Sequence, residues 1–205
     1  MQQNNDLEQA GDSKQRHVVV SMQKELCGAM TKFAAGDMEI CAVPVQGPDP
    51  EVFREAMSRI AASVHIVTTD GPAGLAGITA TTIASITLEP PMMLFCIKKT
   101  SPSAVRIIEN GVFCINTLAA VHEPLADIFA GRTGHRLGER FTQGEWTKLV
   151  TGCPVLRGAA AAFDCRLVEA KEVMTHFVMI GAVEAVDFSP NGGGLTYARR
   201  RYATK

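Results

Sequence analysis

The segment from Gly77 to Pro91 most constrains what this chain can fold into. It is rich in small and β-branched residues, which favour pleated strands. Hydroxyl side chains share one parity along it, at Thr79, Thr81, Ser85 and Thr87. Apolar side chains share the other parity, at Ile78, Ala80, Ala84, Ile86 and Leu88. The alternation predicts strand structure with a hydroxyl-lined face opposite a packed face.

Short hydroxyls and close backbone N–H groups suit the polar edge of a flat heteroaromatic ring such as an isoalloxazine. On composition alone, a solvated strand face is the competing interpretation of the same pattern. The rest of the chain has to decide between the two.

Turn and cap signals divide the rest of the chain into short elements. Asp49-Pro50 and Ser101-Pro102 each predict the start of a helix, and a further short helix is predicted from Glu123 to Phe129. Strands are predicted at 63–69, 75–82, 92–98, 112–118, 160–173, 176–188 and around 195–197. Many strands with a few small helices imply a closed antiparallel sheet.

Composition excludes several function classes. The 205 residues carry a formal net charge of −1, which gives no field for nucleic acid or an anionic membrane. Neither an apolar run of about 18 residues nor a secretory leader pattern is visible, so the cytoplasm is the expected compartment. The six cysteines never occur at the two-residue spacing of zinc sites, so no metal site is expected.

Residues 1–48 differ from the remainder because they are polar, patternless or rich in Gly and Pro. We predict an N-terminal extension, 1–48, that is flexible, with an arm around a partner subunit as the alternative. The domain proper is predicted to span 49–205.

Several separated stretches occur together in an informative order. They are Phe53–Met57, Ile66–Gly71, Gly77–Pro91, Cys114–Leu118, Phe129–Arg132, Thr175-His176, and Gly194–Tyr197 followed by Arg199–Tyr202. In these stretches the chain resembles the flavin reductase-like family, the FMN-binding split-barrel reductases. Two features depart from the family's pattern: the long N-terminal segment has no match, and Met174 stands where many relatives carry glycine or a polar residue.

The resemblance implies a mainly β fold, a Greek-key FMN-binding split β-barrel with a few short helices. It also implies a homodimer that binds FMN or FAD and uses NADH or NADPH. A monooxygenase component or a cobalt corrinoid is the implied acceptor of electrons.

The resemblance further implies a set of flavin-contacting residues before the helix that is predicted to begin at Pro102. Thr79, Ala80, Thr81, Thr82 and Ser85 would line the ring and the ribityl chain, while Cys96, Ile97, Lys98 and Ser101 would follow the flavin tail. Positive charge and hydroxyls beside the Pro102 helix start suit a phosphate. Solvated lysines at a strand end are the alternative.

Five later residues are implied cofactor contacts as well: Asn116, Phe129, Arg132, Tyr197 and Arg199. For two of them the residues themselves leave an alternative open. A buried Asn116 could bond to backbone neighbours instead, and Arg132 could cap the end of its helix.

His176 is the candidate catalytic residue. It matches the family's nicotinamide-contacting histidine and would position the carboxamide by hydrogen bonding, whereas an ordinary edge-strand histidine is the alternative.

The predicted function is therefore an NAD(P)H:flavin oxidoreductase that passes reduced flavin or electrons onward. Two alternatives stay open on sequence: a flavin-dependent corrinoid reductase of cobalamin biosynthesis, and an FMN-binding electron carrier without enzymatic activity.

Overall fold

The computed structural model describes residues 30–31, 40–41, 47–190 and 193–204. These residues fall into two compact units, one ending at Arg54 and the other beginning at Glu55. The predictions for 1–48 fall largely outside the described residues, and the boundary at 48/49 stays a prediction. Among the described residues, no helix is long and apolar enough to cross a membrane.

The first unit contains an antiparallel pair of short strands and the beginning of a helix. The pair is β1 (Met30–Thr31) with β2 (Ile40–Cys41), and the helix is α1 (Pro50–Ser58). Asp49 Oδ1 accepts the backbone N–H of Glu51 at 2.7 Å, which is the N-cap that the Asp-Pro pair predicts.

The remaining elements follow in chain order. They are β3 (Ala62–Ser63), β4 (His65–Thr69), β5 (Ala76–Ala80), β6 (Ile83–Leu88), β7 (Pro91–Lys98), α2 (Pro102–Asn110), β8 (Val112–Thr117), α3 (Glu123–Phe129), β9 (Trp146–Lys148), β10 (Pro154–Leu156), β11 (Ala161–Val173), β12 (His176–Phe188), β13 (Leu195–Ala198) and β14 (Arg201–Thr204). Two 3₁₀ turns, Ala120–His122 and Glu139–Thr142, flank α3.

Seven strands form one antiparallel sheet in the order β5-β4-β8-β11-β12-β7-β6. Its two edge strands, β5 and β6, are consecutive in the chain and are separated by Thr81 and Thr82 alone. A link of two residues can span only about 10 Å, so the sheet has to curl until its edges meet. This closure produces the predicted split barrel.

Alternate residues of β4 face two different apolar clusters, as strand geometry requires. Val67 belongs to the cluster beneath α2, with Phe95, Ile107 and Phe113. Ile66 belongs to the cluster beneath α3, which includes Phe129. The two clusters hold both helices against the barrel, and the beginning of α2 is thereby fixed beside the end of β7.

The predicted pattern for β6 is wrong in one respect. Ile86 and Leu88 are 46% and 82% exposed, although their parity predicts a packed face. The run from Gly77 to Pro91 is not one strand: it breaks after Ala80, and a bulge between Ser85 and Thr87 reverses the alternation. Parity counted through these irregularities therefore loses its meaning.

Candidate functional site

A cavity of about 320 Å³ opens where the barrel edges meet. Nine predicted site residues line it: Thr79, Ala80, Thr81, Thr82, Cys96, Ile97, Lys98, Ser101 and His176. Ile78 and Thr100 complete the lining. Pockets for cofactors and small molecules commonly measure about 300–1,000 Å³, so this cavity can receive a large part of a cofactor.

Thr81 and Thr82 form the short link between the edge strands β5 and β6, and this link lies beside β7. The backbone N–H of Cys96 donates to the Thr82 carbonyl at 3.2 Å, which fixes the link to β7. Both threonines are exposed. Within the described part of the chain, neither hydroxyl has a hydrogen-bond partner, so both are available to a ligand's polar edge.

The start of α2 forms a second wall of the cavity. Ser101 precedes Pro102, and its backbone N–H donates to the Lys98 carbonyl at 3.0 Å. The Ser101 side chain makes no capping bond to the helix. A free hydroxyl beside the positive end of the α2 dipole is suited to an anionic group.

The two adjacent lysines have different environments. Lys98 lines the cavity, whereas Lys99 forms an ion pair with Glu172 on β11. The backbone N–H of Lys99 donates to the Thr175 carbonyl at 3.1 Å, which holds this strand end against the β11–β12 turn. Lys98 is therefore the cation of this pair that a ligand in the cavity can use.

His176 enters the cavity from the first position of β12, where it pairs with Lys98 of β7. The ring is half-buried, and its Nδ1 lies 2.9 Å from the Thr175 hydroxyl oxygen. Met174, in the preceding turn, has a φ of 51°, a left-handed conformation that favours glycine. A glycine would adopt this backbone geometry without the strain that a Cβ brings.

Thr79 lines the cavity mainly through its backbone, because its hydroxyl is already used. Thr79 Oγ1 donates to the Ala126 carbonyl of α3 at 2.7 Å. Two residues earlier, a Cβ on Gly77 would lie 2.6 Å from Phe129 Cε1. Only glycine allows β5 to pack this closely on α3, so these contacts position the cavity wall.

Ser85 does not reach the cavity. It lies on β6, is exposed, and pairs with Met93. Antiparallel pairing places it opposite Met93, whereas the cavity is lined by the other end of β7, from Cys96 onward.

Asn116 lies in the interior of the sheet and is fully buried. Its Nδ2 donates to the Ile66 carbonyl at 3.1 Å, and its Oδ1 accepts the Leu156 N–H at 2.8 Å. Further contacts to Thr68 and Pro154 saturate the amide. The backbone-neighbour alternative fits this geometry, and no donor or acceptor of the side chain is left for a flavin.

Phe129 and Arg132 lie at the end of α3 and outside the cavity. Phe129 is fully buried and contacts Phe141 and Trp146 with ring centroids 5.0 and 5.5 Å apart. Arg132 pairs with Asp127 of the same helix at 2.7 Å.

Tyr197 and Arg199 lie in the β13–β14 hairpin and do not line the cavity either. Tyr197 packs on Tyr202 with ring centroids 5.1 Å apart. Arg199 lies in a separate, smaller cavity with Arg59 and Arg200. The resemblance predicted these two residues from their sequence motif, whereas the hairpin directs them to another part of the unit.

Ionisation of the buried groups gives no reactive nucleophile in the interior. Burial raises the pKa of the Cys165 thiol to about 12 and raises the pKa of Cys114 strongly. Burial also lowers the pKa of His65 to about 4, so this imidazole is neutral near pH 7. Among the described residues, these buried groups are therefore not available as ionised groups for a ligand near pH 7.

The structure is thus a split barrel whose meeting edges enclose a hydroxyl-lined cavity, with a lysine and a helix start at one wall. The model of the flavin reductase like domain matches residues 57–205. This chain belongs to that family.

Individual relatives carry informative names. A protein of Methylorubrum extorquens (strain PA1) named FMN reductase (NADH) RutF 2 is 49% identical over 159 residues, covering 75% of this chain and 91% of that protein. Among solved structures, BorF, the flavin reductase component of a bacterial two-component tryptophan halogenase, matches with a TM-score of 0.71 and 27% identity, over 76% of this chain and 98% of its own. The flavin reductase HpaC complexed with NADP+ matches with a TM-score of 0.68 and 28% identity, over 76% and 97%.

Two lining residues are not among the nine predicted ones: Thr100 lies within the predicted stretch 96–101, whereas the parity of Ile78 assigned it to the packed face. The one indication for Ile78 is that it directly precedes the predicted contacts 79–82. The strand ends at Ala80, so residues on both faces of its last positions can reach the cavity.

Proposed function

We propose that this protein is an NADH-dependent flavin reductase that binds FMN in the cavity at the barrel edge. The observation that supports this most directly is the convergence of three distant segments there: residues 79–82, residues 96–101 and His176. The relatives named FMN reductase (NADH) support the same flavin and the same nicotinamide. When bound, a flavin supplies two-electron redox chemistry with a nicotinamide.

The hydroxyls of Thr81 and Thr82 and the neighbouring backbone groups bind the polar edge of the ring. This assignment fits because the two hydroxyls have no partner elsewhere in the described residues and lie at the cavity surface. An edge rich in acceptors requires such donors at short range.

Lys98, Ser101 and the start of α2 bind the phosphate. The Lys98 ammonium group, the Ser101 hydroxyl, which makes no capping bond, and the positive end of the α2 dipole lie at one wall of the cavity. Each favours an anion. The neighbouring Lys99 contributes little because Glu172 already neutralises it.

His176 positions the nicotinamide. Its half-buried imidazole lies across the strand pair from Lys98, and Thr175 fixes its Nδ1. The remaining ring nitrogen can hydrogen-bond a carboxamide, which orients the substrate without requiring a proton transfer.

Reduced flavin then passes to a separate partner enzyme, for which a monooxygenase component is the predicted acceptor; BorF serves as the reductase component of such a two-component system, a tryptophan halogenase. The working form is a homodimer, as the family resemblance implies. Exposed apolar side chains also recur two residues apart on two strands, Ile86 and Leu88 on β6 and Val186 and Phe188 on β12. Exposed apolar surface of this kind commonly marks a protein contact. Sedimentation of the purified protein measures the oligomeric state directly.

The deciding experiment is anaerobic NADH oxidation with no flavin, with catalytic FMN and with excess FMN. Turnover that saturates with excess FMN supports a reductase that releases its flavin. Reduction of a single held equivalent that resumes only with a cobalt corrinoid would support the corrinoid reductase instead. Absence of NADH oxidation under all three conditions would refute the proposed function.

A further inference from the structure

The turn between β13 and β14 has an unusual composition for its shape. Ala198 pairs with Arg201, so the loop consists of Arg199 and Arg200 alone. Their φ angles are 49° and 62°, both in the left-handed region. A two-residue hairpin loop with two positive φ angles is the type that Asn-Gly and similar pairs favour.

Two arginines are therefore a poor choice for the stability of this turn. Side chains with a Cβ enter the left-handed region at a cost, and such strain persists only where surrounding contacts impose it. Here the Arg199 N–H donates to the Ser58 carbonyl at the end of α1, with the two atoms 2.5 Å apart. The contact holds the turn in place but requires no arginine side chain.

The side chains of the turn help to form a basic cavity of about 170 Å³. Arg199 and Arg200 line it together with Arg59, Glu55 and Ser58. Glu55 lies between two of the guanidinium groups, 3.2 Å from Arg59 Nη2 and 3.7 Å from Arg200 Nη2. Among the described residues, no carboxylate lies within 4 Å of Arg199.

This basic cavity is separate from the flavin cavity because the two share no lining residue. It is also smaller than the roughly 300 Å³ at which ligand pockets usually begin. A whole flavin does not fit it, whereas a single tetrahedral anion does.

We propose that the basic cavity is a phosphate-binding site. Three guanidinium groups and one carboxylate leave two positive charges, which a phosphate dianion balances. Guanidinium groups bind phosphate oxygens through paired N–H donors, and each has five donors of which Glu55 can use few. The phosphate is either free inorganic phosphate or the phosphate of a nucleotide.

The first test is the melting temperature in sodium phosphate and in sodium chloride of equal ionic strength and pH. We expect phosphate to raise the melting temperature of the wild-type protein above its value in chloride. The double variant Arg199→Asn/Arg200→Gly should melt roughly 2–6 °C higher than wild type in chloride, because its turn is relaxed. It should lose most of the additional rise in phosphate, and the remainder should come from the phosphate wall of the flavin cavity, which this variant leaves intact.

Two further variants separate the basic cavity from general charge effects. Arg59→Gln leaves the turn unchanged and should also lose the phosphate effect. The double variant Arg136→Gln/Arg157→Gln removes two arginines that do not line the basic cavity. It should keep the phosphate effect on the melting temperature. A parallel titration with ADP distinguishes the sources: an ADP effect that the double variant loses assigns a nucleotide phosphate, whereas an effect of inorganic phosphate alone assigns the free anion.

A phosphate effect that persists fully in the double variant would overturn the proposal, as would its absence from the wild-type protein. A double variant less stable than wild type in chloride would contradict the strain from which the inference starts. None of these measurements uses NADH oxidation, so the outcome is independent of the proposed reductase function.

Discussion

The wall of the flavin cavity and the sheet interior around Asn116 are built from similar polar residues, yet they have opposite properties. At the wall, the hydroxyls of Thr81, Thr82 and Ser101 lack hydrogen-bond partners in the described chain. In the interior, the amide of Asn116 has protein partners for both its donor and its acceptor groups. A buried polar group has to be satisfied internally, whereas one at a cavity can keep its capacity for a ligand.

This contrast separates the predicted cofactor residues into two groups. Those at 79–82, 96–101 and 176 share the cavity, and those at 116, 129, 132, 197 and 199 contribute to packing, ion pairs or another cavity. The first group should govern flavin affinity and the second should govern stability, apart from Arg199 of the basic cavity; Ser85 belongs to neither group.

The largest expected effect is acid destabilisation through His65 in the interior. Burial lowers its folded-state pKa to about 4, below the unfolded value of 6.5, so the unfolded chain binds a proton that the folded chain excludes. The contribution of His65 to the free energy of unfolding is fully present above pH 6.5. It is lost as the pH falls toward 4, by a total of about 3 kcal/mol.

Urea denaturation between pH 7.5 and 4.5 measures this loss. His65→Gln should flatten the pH dependence of the free energy of unfolding, whereas His135→Gln, at a partly buried loop position, should leave it steep. If the free energy of unfolding depends on pH equally steeply in the wild-type protein and in His65→Gln, the interior does not keep His65 neutral.

The next largest effect concerns Asn116. Asn116→Ala should lower the free energy of unfolding by about 2–3 kcal/mol, because the Leu156 N–H and the Ile66 carbonyl lose their buried partner. The apparent KM for NADH should change less than twofold in the folded protein. Thr82→Ala is the matched variant at the wall and should change stability by under about 0.5 kcal/mol. A rise in the FMN dissociation constant for Asn116→Ala without a loss of stability would reverse the assignment of the two groups.

At the cavity wall, His176 should control nicotinamide use. His176→Ala is expected to raise the apparent KM for NADH at least tenfold, a loss of about 1.4 kcal/mol, while the FMN dissociation constant changes less than threefold. Steady-state kinetics and fluorescence titration with FMN measure the two quantities. His135→Ala serves as the control, and an unchanged KM in His176→Ala would remove the nicotinamide role.

Much of the architecture is predictable from sequence because its signals are local. α3 and β12 have the predicted bounds, since a proline near the start of one and a tight turn before the other mark their ends. The paired strands β9 and β10 were missed because three-residue strands carry too little alternation.

The site is predictable where consecutive residues line it, as at 79–82 and 96–101. Other site residues are not predictable, because their sequence motif does not determine the direction in which the chain turns. Ser85 lies beyond the cavity because the chain breaks after Ala80 and β6 then runs along β7 as far as Met93 and beyond. Arg199 lies in another cavity because of a two-residue hairpin loop. Neither irregularity changes the sequence pattern on which the predictions depended.

The smallest effect distinguishes two adjacent lysines within the first group. Lys98 faces the cavity, while Lys99 is neutralised by Glu172. Lys98→Gln should therefore weaken FMN binding about 3- to 10-fold at low salt and leave riboflavin binding unchanged, since riboflavin lacks the phosphate. Lys99→Gln should change neither affinity by more than about twofold, because its exposed ion pair contributes little. Equal losses in the two variants would mean that the long-range charge of this strand end, rather than a contact from Lys98, attracts the phosphate, and the loss would then disappear for both as the salt concentration rises.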